Sequence, residues 1–141
     1  MTKGSQYSHR LDLENGRVEM AHGSGGKAMA QLIDELFLQA FSNPWLDKMN
    51  DQACFSLPAG RVVMATDSHV ISPLFFPGGD IGSLSVHGTV NDVAMSGAVP
   101  KYLSAGFILE EGFALSSLKR LVESMAHAAE AAGVAIVTGD T

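Results

Sequence analysis

Between Gly26 and Phe41 the apolar residues Met29, Leu32, Ile33, Leu36, Phe37, Ala40 and Phe41 recur every three or four positions. That is the period of a helix with one buried stripe. Asn43-Pro44 ends it, because the residue before a proline is driven out of the helical region. Two apolar runs follow, "ACFSL" and "RVVMAT", separated by Pro58-Ala59-Gly60, and predict a hairpin whose second strand is buried. The prolines and glycines of "ISPLFFPGGD" predict a loop.

Residues 81–96 have helical length without a proline, and Gly97 and Pro100 supply stop signals. "KYLSAGFILEE" predicts a longer strand. From Leu115 to Ala132 the residues Leu118, Leu121, Val122, Met125, Ala129 and Ala132 again mark one helical face, with Ser116 or Ser117 as the expected cap and Gly133 as the stop. "VAIVT" is a last apolar strand. The order α-β-β-α-β-α-β predicts an α+β fold, a mixed β-sheet with helices packed on one face.

The 141 residues, 46% hydrophobic and 17% charged, suit a single globular domain. Residues 1–17 are too polar to pack and are expected to form a disordered N-terminal extension, leaving 18–141 as the domain. A net charge of −6 with no Lys/Arg cluster argues against a nucleic-acid surface. The single cysteine, Cys54, excludes an internal disulfide and a cysteine-based zinc cluster, so a cytoplasmic location is the expectation. No run reaches the ~18 apolar residues of a membrane span. The last strand runs into Gly139-Asp140-Thr141 without a polar tail, which suggests a boundary inside a longer protein.

Three stretches carry polar groups that packing alone does not explain. In "AHGSGGKAM" three glycines, a serine and Lys27 precede a helix. Glycine lets backbone N–H groups approach a phosphate, and a lysine adds a point charge; a flexible helix entry is the plainer reading. In "MATDSHV" an apolar strand ends on Thr66, Asp67 and His69, where a carboxylate suits an oxygen-seeking cation or simply starts a turn. In "SVHGTVNDVAMSGAVP" a helix sets His87 and Asn91 one turn apart with Asp92 beside them. His87 also reads as a structural histidine, whereas Asp92 needs a cation or a cap to offset desolvation. With Asp140, again after an apolar strand, Asp67 and Asp92 would make a magnesium-nucleotide site if they converge.

The ordered set "AHGSGGKAM", "ATDSHVISPLFFPGGDIG", "NDVAMSGAVPKYLSAGFILEEG" and "VTGDT" resembles the N-terminal domain of the HypE family of hydrogenase expression/formation proteins, within the aminoimidazole ribonucleotide synthetase-like superfamily. The resemblance covers about residues 18–141. It implies an ATP-dependent, magnesium-dependent enzyme that makes the cyanide ligand of [NiFe]-hydrogenase. A carbamoyltransferase, HypF, would load a carbamoyl group onto a C-terminal cysteine, ATP-driven dehydration would leave a thiocyanate, and the cyanide would pass to iron on a HypC–HypD complex.

By position, His22, Gly23, Ser24, Gly25, Gly26 and Lys27 would lie against the phosphates and Asp67, Asp92 and Asp140 would hold magnesium. Asn91 would support the site and His87 would handle protons. The superfamily also implies a homodimer through paired sheets. The second domain and the cysteine tail are absent from this chain, so the chain alone is expected not to perform the dehydration. Selenophosphate synthetase and thiamine-monophosphate kinase share parts of the pattern, and an inactive dimerisation or nucleotide-docking fragment is the reading from another class.

Overall fold

The computed structural model describes residues 7–57 and 59–141. The first predicted helix is continuous from α1 (Lys27–Leu32) through a π-helical turn (Ile33–Phe37) into α2 (Leu38–Phe41). Asn43 accounts for both its end and the next turn. Its amide donates to the carbonyls of Phe41 and Ile136, both at 2.8 Å, while its oxygen accepts the N–H groups of Trp45 and Leu46.

The helix α3 (Ile81–Met95) begins at a reciprocal cap. Asp80 Oδ1 accepts the Ser83 N–H at 3.0 Å, and Ser83 Oγ accepts the Asp80 N–H at 3.2 Å. The helix α4 (Leu115–Ala131) starts earlier than the serines suggest, at Ala114, with no side-chain cap. Its first N–H, on Leu115, donates instead to the Gly16 carbonyl at 3.0 Å. Gly97 and Gly133, both in left-handed backbone conformations, follow the ends of α3 and α4 as predicted.

The sheet is smaller than the pattern predicts. Strands β3 (Tyr102–Gly106) and β4 (Ala135–Asp140) pair in parallel, and the predicted loop contributes a short antiparallel pair, β1 (Phe75–Phe76) with β2 (Gly79–Asp80). Neither "ACFSL" nor "RVVMAT" forms a strand over its described residues; Pro58 of the intended turn lies outside them. The reason is cover. Val62 is 69% exposed and Met64 90%, and a hairpin with no apolar layer against it is marginal in water. The Phe55 ring nevertheless stacks on Tyr102, with centroids 4.1 Å apart. The class is α+β, with α4 backing the parallel pair.

Residues 11–17, expected to be free, are tied down. The Leu11 N–H donates to Glu35 at 2.6 Å, Val18 exchanges backbone bonds with Phe113 and Gly112, and Leu11 and Leu13 pack on the core. Backbone groups, which composition does not count, enter each of these hydrogen bonds, and two leucines add apolar contact. Asp12 closes the turn between them: the Asn15 N–H bonds its carboxylate and holds it below the ordinary carboxylate range.

Two apolar clusters form the core. One gathers Val18, Leu32, Leu36 and Phe37 onto Leu115, Leu118 and Val122; the other gathers Val86, Val134 and Ile136 onto Ala128 and Ala129. Where α3 crosses α4, a Cβ on Gly82 would collide with the Leu121 carbonyl oxygen, a backbone atom that cannot rotate away. Gly82→Ala should therefore separate the helices and cost about 1–3 kcal/mol of stability, despite alanine's better helix propensity. Urea unfolding of the two proteins checks this; equal midpoints would refute the close crossing.

Candidate functional site

The glycine segment is built on a buried histidine. In the 3-10 turn Met20–Gly23, His22 is 8% exposed and its Nδ1 accepts the Glu19 N–H at 2.9 Å. In the neutral ring the proton then sits on Nε2. Ser24 Oγ donates to the Ala21 carbonyl at 2.9 Å, and Gly25 turns the chain with φ at +72°, which a side chain would strain. The N–H groups of Gly25 and Gly26 take no backbone partner among the described residues, and exposed Lys27 opens α1. Unused N–H groups ahead of a helix are the donors an anion takes.

Gly23 and Gly25 border a cavity of about 430 Å³ that reaches the end of β4. Gly23, Gly25 and Asp140 line it together, so the fold joins two of the predicted stretches. Asn50 and Asp51 line it as well. Thr138 Oγ1 donates to the Asp51 carbonyl at 3.1 Å and holds that segment beside β4. The sequence reading missed both residues. The available signal was the same one used for Asp140, a carboxylate at the edge of an apolar run, here just before "ACFSL".

Asp67 and Asp92 do not line this cavity. Asp67 Oδ1 accepts the Ser68 N–H at 2.7 Å, and Oδ2 stands 3.2 Å from His69 Nε2. This pair sits over Gly88 of α3. Asp92 follows Gly88 by four residues and shares its helix face. Its carboxylate is exposed, as are Asn91 and His87, and it makes no hydrogen bond or ion pair among the described residues. Asp92 is therefore neither a cap nor a desolvated charge.

Among the described residues no group of three or more His, Cys, Asp or Glu side chains is arranged to hold a metal ion. The charged and amide groups around the cavity nonetheless offer oxygen ligands, the Asp51 and Asp140 carboxylates and the Asn50 amide. Magnesium is commonly held by one or two carboxylates together with substrate phosphates, so this donor set fits it.

Residues 49–141 match the family described as AIR synthase related protein, N-terminal domain. The chain belongs to this family. The chain is also 76% identical over 132 residues to the carbamoyl dehydratase HypE of Azotobacter vinelandii, covering 94% of this chain and 39% of the relative. A solved structure of the hydrogenase maturation protein HypE in complex with ATP superposes with a TM-score of 0.85 at 58% identity, over 87% of this chain and 36% of that one. A HypE–HypF complex matches with a TM-score of 0.57 at 55% identity, over 78% and 35% of the two chains. These likenesses identify the domain as HypE N-terminal in type. The chain spans about 39% of the length of the curated relatives it matches.

The buried imidazole gives this loop a testable anchor. His22→Leu keeps the bulk but removes the acceptor for the Glu19 N–H, and should cost about 1 kcal/mol. A chemical-denaturation comparison with the unsubstituted chain measures it; no change would mean that the imidazole does not hold the turn.

Proposed function

We propose that this chain is the ATP-binding domain of a carbamoyl dehydratase that supplies the cyanide ligand of a [NiFe]-hydrogenase. The observation that carries the reading is the cavity shared by Gly23, Gly25 and Asp140, in a domain so similar to a HypE bound to ATP. Gly25 and Gly26 offer N–H groups to the phosphates, and Lys27 adds charge. His22, Gly23 and Ser24 hold the loop that presents them.

Asp67, Asp92 and Asp140 would hold magnesium, Asp51 is added to them on the strength of the cavity, and Asn91 supports Asp92 from the same exposed helix surface. Magnesium, when bound, would neutralise charge on the phosphate oxygens.

In the reaction, the oxygen of a carbamoylated cysteine takes the γ-phosphoryl group and leaves as phosphate, while the nitrogen loses both protons and a thiocyanate remains. Phosphorylation turns a poor leaving group into a good one. His87, exposed on α3, is the proposed proton handler. The carbamoyl group would come from HypF, a reading supported by the likeness to the HypE–HypF complex, and the cyanide would pass to a HypC–HypD complex. Among the described residues no helix is long and apolar enough to cross a membrane, which accords with a proposed cytoplasmic setting.

In the full-length protein Asp140→Asn and Asp92→Asn should each lower ATP turnover on the order of a hundredfold with the fold intact, since on this reading each carboxylate helps to hold the magnesium that neutralises the phosphates. Turnover at the unsubstituted rate in both would overturn the assignment.

We also propose a homodimer through this domain. The uncovered run with Val62, Met64 and fully exposed Val70 would gain from a second copy the apolar layer it lacks. Light scattering at micromolar concentration should give twice the monomer mass; a monomer would refute the pairing.

A further inference from the structure

An internal glycine in a helix costs roughly 1 kcal/mol relative to alanine, so a glycine in mid-helix calls for a reason. Gly88 lies in the middle of α3, and it is not among the glycines whose backbone is left-handed. Its reason is steric. A Cβ built at this position would stand 2.8 Å from His69 Nε2 and 3.5 Å from Asp67 Oδ2. The missing side chain is the space that the imidazole occupies.

That seat matters because the segment has few others. From Arg61 to Val70, Ala65 and His69 are the half-buried residues and the rest are exposed, and no strand hydrogen bonds hold the run among the described residues. The His69 side chain is 16% exposed, against 39% for Asp67. His69 therefore anchors the segment on α3 and carries Asp67 with it, the imidazole at one carboxylate oxygen and the Ser68 N–H at the other. The hydrogen bond at one carboxylate oxygen and the imidazole within ion-pair distance of the other restrict the orientation of Asp67, and its oxygens retain lone pairs for another partner.

We propose that His69 and Gly88 form a positioning device for the nucleotide site: the glycine admits the imidazole against α3, and the imidazole aims the Asp67 carboxylate across the helix face that carries Asp92. This rests on the reading of Asp67 and Asp92 as magnesium-nucleotide residues. The residue that matters beside the site is then His69 rather than, or in addition to, exposed His87. Partners that orient a metal-ligating group from behind are worth about 10- to 100-fold in metal affinity.

The contact at position 88 is with the far end of a side chain, so Gly88→Ala should push the imidazole aside without unfolding α3. In the full-length protein, His69→Leu and Gly88→Ala should each raise the magnesium concentration needed for half-maximal ATP binding about tenfold or more. Thermal unfolding of Gly88→Ala should stay at or above that of the unsubstituted protein. His69→Gln, which can place an N–H near Nε2, should restore most of the loss seen in His69→Leu. Combining His69→Leu with Gly88→Ala should add little to either, because both remove the same contact.

Asp67→Asn serves as the control for the underlying reading. If it binds magnesium and ATP like the unsubstituted protein, Asp67 leaves the site and the inference falls with it. If Asp67→Asn is weakened while His69→Leu and Gly88→Ala are not, the inference alone is overturned. Nitrogen NMR of His69 without nucleotide gives an independent readout: its ring resonances should move in both Asp67→Asn and Gly88→Ala. Unmoved resonances would overturn the pair even if no nucleotide binds.

Discussion

Everything in this domain leans on α4. Its inward stripe is shared between the two apolar clusters, Leu115, Leu118 and Val122 serving one and Ala128 and Ala129 the other. Large residues meet the first helix at one end, and small ones let α3 and the parallel strands approach at the other. The crossing at Gly82 is the tightest consequence, a helix-to-backbone contact that admits no side chain. Because α4 fixes α3 on one side and β4 on the other, it sets where the cavity at the end of β4 and the exposed face of α3 lie, although it contributes no residue to the proposed nucleotide site.

The beginning of α4 shows how backbone hydrogen bonds recruit distant chain. A helix leaves its first N–H groups unpaired, and here no side chain caps them. The Gly16 carbonyl accepts from Leu115, and Val18 pairs with Phe113 and Gly112 on the way in. A polar segment with little apolar surface is thereby fixed to the domain and leads directly into the 3-10 turn and glycine loop. The bond from Leu115 to Gly16 satisfies one of those orphan groups and helps to fix the segment that leads into the glycine loop.

The stretch from Ala53 to Val70 represents the opposite case. Its residues have the side chains of buried strands, yet Val62, Met64 and Val70 face water. Strand formation needs a neighbour on the edge and an apolar layer on the face, and a lone domain of this size supplies neither for this run. Two side chains still tether it, Phe55 on Tyr102 and His69 over Gly88. The second tether brings Asp67 to α3, which links the incomplete sheet to the proposed chemistry.

What the sequence by itself determined is what depends on neighbours within a few residues. The stripes of the first helix and of α4, the stops at Asn43, Gly97 and Gly133, and the glycine-rich helix entry are local, and each stands in the structure close to its predicted place. The family resemblance was legible in the same way, through ordered short motifs. Tertiary structure decided the rest. It denied strand geometry to "RVVMAT", tied Leu11–Arg17 to the core, brought Asn50 and Asp51 to the cavity of Asp140, and left Asp92 exposed and without a partner among the described residues. These outcomes depend on which surfaces find cover and which backbone groups find partners tens of residues away, and no local period or spacing records that.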